Sequence, residues 1–379
     1  MASLASVLII GDGTAGTVVA NKLKFLAGKR AEVRVVGNSQ RHYYKGDFMF
    51  IPLKLKDYKE CYKPPEFLFN AGIDYVKEEV VRVNVDQRLV TLRSGRTLSY
   101  DYLVIASGAR LAPEEVPGFE GEARHFYTLQ RAMELQEYMD SFQGGNLVIG
   151  QCAGPISYPS STFEFALMAR DYLESKGLLQ KSKIHFLMPS LGIYSDSSTA
   201  GKIASLLGSK GIEVHKEFEV NTVNPKNKEV ISVKGEKLNY SLLVAVPPHR
   251  GQRFVKDSSL GDDMGFIEVD RNTLNLKEHP EVFVAGDAAK LPIDKTGSAA
   301  HFQATYIANR IAMEVGGNYT PSTYMGENAF NAATSVGRGM TFYSSYSSSP
   351  KATFESMSDF LIKWTYSSTY FSSVVRGLI

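Results

Sequence analysis

Cysteine is scarce in this chain: of 379 residues only Cys61 and Cys152 carry thiols. Two are too few for the disulfide framework of a secreted domain, and too few for a zinc or iron-sulfur centre without help from histidine, so no metal is expected. Blocks of like charge are missing as well. The 42 basic and 40 acidic residues leave a formal charge of +2, which removes the electrostatic footprint of a nucleic-acid binder. Long apolar runs are absent too. The start MASLAS has no basic region, and Val7 to Ile10 is too short and strand-like for a signal peptide or a membrane span, so a cytoplasmic location is expected. What remains is a chain with 44% hydrophobic residues, long enough for two or three domains around a large core.

The stretch SVLIIGDGTAGTVVANKL, from Ser6 to Leu23, places a buried strand before a glycine-spaced turn and a helix. Gly11, Gly13 and Gly16 give G-x-G-x-x-G, with Ala15 inside it. The first glycine permits a tight turn, the second lets backbone approach a pyrophosphate, and the third lets helix and strand pack closely. The helix N-terminus adds amides and a positive dipole end. The next strand, AEVRVVGNS, lacks the acid that would grip a ribose. Asn38 or Ser39 is left for that role, or the segment is merely a turn.

Two later strands also end in glycine turns: YDYLVIASGAR, containing Ser107 and Gly108, and EVFVAGDAAK, containing Gly286 and Asp287. The trio GDGTAG, LVIASGA and VFVAGDAA resembles the FAD-binding signature of the pyridine nucleotide-disulfide oxidoreductase superfamily over about residues 5 to 315. The resemblance implies noncovalent FAD, with its pyrophosphate on the first motif and its ribityl chain on Asp287. The following Lys295, Thr296 and Gly297 resemble the loop that the sulfide:quinone oxidoreductase and flavocytochrome sulfide dehydrogenase branch places against the flavin. A helix N-terminus there would stabilise charge on reduced flavin, with Lys295 either assisting or a solvated loop lysine.

The stretch GGNLVIGQCAGPISYPSSTFEFALMARDYLESKG is the place for a nicotinamide turn. Cys152 stands where the second glycine belongs, and the next strand ends FLMPSLG without an acid, so NADH use loses ground. The same segment resembles the sulfide:quinone branch, which carries a cysteine at this turn before a Gly-Pro and a Glu-Phe-Ala-Leu helix. The resemblance makes Cys152 a sulfur carrier, and a thiol at a helix N-terminus beside an oxidising flavin has a lowered pKa. The alternative for Cys152 is a small buried hydrophobe. Glu164 is either a proton acceptor or a first-turn helix acid without chemistry. The branch's second cysteine is missing, since Thr334 and Ser335 hold its region, and Tyr127 and Arg131 stand where many members carry a third cysteine and a histidine. A two-thiol polysulfide mechanism is therefore closed to this chain unless Cys61 folds into the site, which KDYKECYKPPEF does not suggest.

In the C-terminal stretch, Met357, Phe360, Leu361, Trp364, Phe371, Val374, Val375 and Leu378 recur at three- and four-residue steps and predict one apolar stripe. It suits a membrane headgroup layer, its own domain, or a second copy of the chain. The expected fold class is α/β with two Rossmann-like domains: an FAD domain from residues 1–112 and 246–318, an inserted domain of 113–245, and a membrane-facing segment of 319–379. The resemblance implies a sulfide:quinone oxidoreductase-like enzyme with a sulfur donor and a quinone acceptor, peripheral on the inner face of the cell membrane. The rivals are an NADH:quinone oxidoreductase and a flavin-bearing subunit without turnover.

Overall fold

The computed structural model describes residues 4–152, 154–190, 194 and 196–379. Residues 1–3, part of the start read above, and 191–192, the last two of the FLMPSLG stretch, lie outside the described residues. Among the described residues the α-helices are α1 (Thr14–Ala27), α2 (Leu129–Ser141), α3 (Ser161–Ser175), α4 (Ser197–Ser209), α5 (Arg253–Asp257), α6 (Gly297–Val315) and α7 (Met357–Thr369).

The first sheet is parallel. Its spatial order is Val282–Val284, Tyr102–Ile105, Ala5–Ile10, Ala31–Gly37 and Ile73–Lys77. Strand Ala5–Ile10 lies between parallel neighbours and is covered on both faces, which is why it reads as a continuous aliphatic run. On one face α1 and α6 lie together: Val18, Val19 and Leu23 pack with Ala304, Ala308 and Ile311 in one buried cluster. The other face is covered by Val80, Val83, Val90, Leu92 and Phe254. After Ala31–Gly37 and Ile73–Lys77 the chain crosses to the opposite side of Ala5–Ile10. The strand ends at Ile10 and Ile105 therefore flank the switch in order where open α/β sheets hold ligands.

A second parallel sheet, ordered Ile212–Lys216, Ser182–Met188, Gly145–Gln151 and Leu242–Val246, repeats the plan within the middle of the chain. It is followed, beyond α6, by an antiparallel sheet of Asn328–Ser335, Arg338–Ser345 and Ser348–Ala352, on which α7 lies. The SSYSSSPK stretch forms the turn and last strand of that sheet.

The C-terminal stripe requires correction. The inward face of α7 carries Asp359, Lys363 and Ser367, with Phe360 and Trp364 of the stripe half-buried against the core beside them, while Met357 and Leu361 of the stripe, and Ile362, point to solvent. Each inward polar group is satisfied. Asp359 accepts from Thr341 and Thr353 hydroxyls, Lys363 pairs with Glu164, and Ser367 donates to Asp47. The helix stops at Thr369 and gives way to a π turn over Tyr370–Val374. There Tyr370, Val374 and Val375 turn inward against Leu68. No described helix is long and apolar enough to cross a membrane.

Candidate functional site

The glycine turn has the geometry its spacing implies. Gly11 has a φ of +110°, and a Cβ there would stand 2.3 Å from Ala106 O. A Cβ on Gly16 would stand 1.9 Å from Gly11 O, so helix and turn touch through backbone alone. Gly13 is different, because its Cβ would meet nothing within 4 Å. Its φ of −82° suits any residue, and the α1 N-terminus it opens has no side-chain cap and no acid in its first turn. Those amides are free for an anion. Gly16→Ala should therefore unfold the domain or cost it several °C in Tm. Gly13→Ala should leave Tm within about 2 °C and weaken dinucleotide binding by about tenfold or more, since a methyl then occupies the pyrophosphate approach. Equal loss of stability in both variants would refute the division of roles.

The three motifs converge. Gly11 abuts Ala106 and Ser107, whose backbone Cα lies 3.1 Å from the position of a Gly11 Cβ, and a Cβ on Gly286 would be 3.5 Å from Ala15 Cβ. Ser107 Oγ is buried without a partner, an orphaned polar atom at the mouth of the turn. Gly108 has a φ of +66° and open space beside it. Gly286 N donates to Gln303 Oε1 at 2.7 Å. Around Asp287 lies a small, half-open cavity with room for about one water, lined by Asp287, Leu291, Asp294, Lys295, Ala300 and Gln303. These features fit an adenine dinucleotide flavin: a free helix N-terminus for pyrophosphate, an orphaned hydroxyl, and a carboxylate at the third motif.

Within this cavity the expected roles divide. Thr296 Oγ1 accepts from Ala299 N and donates to Asn328 Oδ1, which makes it the cap of α6, with Gly297 as the first helical residue. Lys295 is not a solvated loop lysine: its ammonium donates to the carbonyls of Asp287 (2.8 Å) and Ala289 (2.6 Å), and burial lowers its pKa. It holds the Asp287 backbone in place. Asn38 is exposed. Asp294, which sequence reasoning passed over, lines the cavity with Oδ2 unpartnered, and burial pushes its carboxyl up to about 6. Its place one residue before the Lys-Thr-Gly loop was the signal.

Ser157 and Tyr158, from the inserted PISYPSS stretch, were also missed. Ser157 Oγ donates to Asp287 Oδ2 at 2.5 Å, and Tyr158 N donates to Lys295 O. Tyr127 fastens the same loop, its hydroxyl meeting Ser157 O at 2.7 Å and Ser161 Oγ at 2.6 Å. Arg131 instead pairs with Glu134 along α2. Tyr158 OH reaches Glu164 Oε2 at 2.9 Å. Glu164, fully buried on α3, also accepts from Ala333 N at 2.8 Å and pairs with Lys363 at 2.9 Å. The insertion thus delivers a hydroxyl to the Asp287 carboxylate and ties α3 to α7.

Cys152 lies elsewhere, and the expected lowering of its pKa is reversed. It ends strand Gly145–Gln151, donates its amide to Val246 O, and is fully buried among Val116, Phe119, Val148, Phe218 and Val220. Helix α3 begins only at Ser161, nine residues beyond it. Burial pushes the thiol up to about 12. Cys61, also buried, is pushed up to about 12 by burial and the nearby Asp47. The folded protein is expected to resist iodoacetamide at pH 8 and to label twice after denaturation, because only thiolate reacts. Rapid native labelling of Cys152 would overturn its burial.

One cluster of metal-ligating types exists among the described residues, at His185, Glu213 and His215. His185 Nδ1 and His215 Nε2 are 3.0 Å apart and already paired. The buried His185 Nε2 lacks the acceptor to which a metal-bound imidazole donates.

Comparison with known proteins places this geometry. The family model described as pyridine nucleotide-disulphide oxidoreductase matches residues 5–305. The mitochondrial sulfide:quinone oxidoreductase of Mus musculus is 23% identical over 92% of this chain and 80% of that protein. The solved sulfide:quinone oxidoreductase of Aquifex aeolicus superposes with a TM-score of 0.87 at 19% identity, covering 98% of this chain and 92% of that one. A chain of the Tetrahymena thermophila mitochondrial ATP synthase superposes with a TM-score of 0.82 at 18% identity, covering 100% and 98%.

Proposed function

From the premise that the chain belongs to the pyridine nucleotide-disulphide oxidoreductase family, whose members are FAD flavoproteins, we propose that it is a sulfide:quinone oxidoreductase-like enzyme. It takes two electrons from a sulfur donor and passes them to a membrane quinone. The observation that carries this reading is the meeting of the three motifs at Gly11, Ala106, Ala15 and Gly286. Bound FAD supplies reversible two-electron chemistry. The chain's own residues do the rest: Gly13 and the α1 amides take the pyrophosphate, Asp287 takes ribityl hydroxyls, and Lys295 and the α6 N-terminus supply positive potential. Asp294 holds a proton up to about pH 6 beside the same cavity.

With both thiols buried, sulfur stays on the donor. Two sulfides join through one S–S bond, releasing two electrons and two protons, and a quinone takes both pairs to become the hydroquinone. The exposed Phe354, Met357, Leu361 and Ile362 on and before α7 form the face that would meet the membrane.

A flavin-bearing subunit without turnover is the second reading. The burial of both thiols favours it, because no thiolate of the chain is open to a sulfur donor. The likeness to an ATP synthase chain points the same way. The deciding experiment mixes the yellow protein anaerobically with sulfide, then NADH, and follows the flavin band. Bleaching by sulfide, unchanged in Cys152→Ser, supports the first reading. Bleaching by NADH alone replaces it with an NADH:quinone oxidoreductase. A flavin reduced by neither supports the subunit.

A further inference from the structure

The glycine turn carries an acid between its first two glycines, Asp12, while the following strand ends in Gly37, where an acid normally grips the adenosine ribose. These two departures form one arrangement. Gly11 N donates to Val36 O at 2.8 Å, which lays the turn beside the end of strand Ala31–Gly37. A Cβ built on Gly37 would stand 2.4 Å from both Cγ and Oδ2 of Asp12. The Asp12 carboxylate therefore fills the space from which a strand-end side chain would start.

The carboxylate is aimed there by neutral donors. Ser39 Oγ donates to Oδ1 at 2.8 Å, and Tyr75 OH (2.8 Å) and Ser39 N (3.3 Å) donate to Oδ2. Asp12 is only 6% exposed. An ionised carboxylate has about four acceptor sites. Three are used, and Oδ1 keeps a free lone pair. Two adjacent ribose hydroxyls are the ligand this chemistry suits, since one can donate to the free lone pair of Asp12 Oδ1 and its neighbour to a lone pair of Ser39 Oγ.

We infer that Asp12 is the ribose-binding carboxylate of this chain, moved from the end of the second strand into the glycine turn, with Ser39 and Tyr75 as its positioning residues. The ligand group is the adenosine ribose of an adenine dinucleotide without a 2′-phosphate, which would meet like charge. The inference rests on the dinucleotide reading given under the proposed function.

The test uses the full chain stripped of flavin, with FAD binding followed by flavin fluorescence and ADP-ribose as the competing probe. Asp12→Ala is expected to weaken both FAD and ADP-ribose by about 10- to 100-fold, the range for a lost hydrogen bond to a charged group. FMN, which has no adenosine, should bind the variant as it binds the parent. Gly37→Glu alone should also fail, because its Cβ collides with Asp12. Asp12→Ala combined with Gly37→Glu should recover most of the lost affinity, a coupling that a merely structural aspartate would not produce. If the alanine variant does not fold, Asp12→Asn, equal in size but uncharged, should weaken ADP-ribose in the same direction. Parent-like or tighter FAD binding by Asp12→Ala, or no recovery in the double variant, overturns the assignment while leaving the dinucleotide reading intact. A parent protein that binds neither FAD nor ADP-ribose removes that reading, and the assignment with it.

Discussion

Acidification from pH 7 to pH 4 is expected to unfold the protein without any denaturant. His42, His125 and His301 are each held at a pKa of about 4, chiefly by burial, and burial lowers His249 as well. In the unfolded chain each protonates near 6.5. The unfolded state therefore binds more protons across this window, and stability falls as pH falls through it. A shift of this size is linked to about 3 kcal/mol per histidine, against a net stability of about 5–15 kcal/mol for a whole protein. Asp294 works in the opposite sense, because its folded pKa is raised and the folded state takes its proton first. It offsets part of one histidine. Urea midpoints measured from pH 7.5 to 4.5 should hold steady to about 6.5 and then drop, with an uptake of two to three protons on unfolding. A midpoint that is flat to pH 5 would mean the imidazoles reach water. His42→Asn should reduce the proton uptake by about one.

Breaking the Glu164–Lys363 pair from either side should cost about 3–5 kcal/mol, the usual penalty for leaving a buried charge alone. Glu164 is fully buried, and Lys363 is 8% exposed by its side chain, over the rings of Phe50 and Tyr158. Glu164→Gln strands the ammonium with only Asn331 O and Tyr158 OH, and Lys363→Met strands the carboxylate with only Tyr158 OH and Ala333 N. The double variant removes both charges and should return to within about 1–2 kcal/mol of the parent. Urea unfolding of all three decides the matter. Additive losses would show that the charges act separately. The double variant also tests the expected chemistry of Glu164, because parent-like stability with lost flavin reduction would give its carboxylate a role beyond anchoring.

The glycine turn and the two later strand-turn motifs were legible because each is local: its residue types and spacing carry the geometry, and buried parallel strands read as aliphatic runs. The rest depended on partners far away in the chain. Cys152 looked poised because a helix N-terminus was expected beside it, but the PISYPSS insertion puts off the helix to Ser161 and sends Ser157 to Asp287 instead. In α7, Asp359, Lys363 and Ser367 recur at four-residue steps. They turn inward because Thr341, Thr353, Glu164 and Asp47 wait for them on other elements. Asp12 was visible only as a spacer between glycines. Its place above Gly37 follows from the register of two parallel strands, which no window along the chain contains.

The two ends of the chain close on each other. Tyr370 OH meets Thr14 Oγ1 at 2.6 Å across 356 residues, and Asn21 Nδ2 donates to Val375 O across 354. The first sheet also waits for Val282–Val284 as its edge strand. During vectorial synthesis the middle sheet, Gly145 to Val246, has every strand available before the nucleotide sheet has its last. The nucleotide sheet is thus finished late: strand Tyr102–Ile105 keeps an open edge until Val282–Val284 arrives, and Thr14 and Asn21 wait longer still for Tyr370 and Val375.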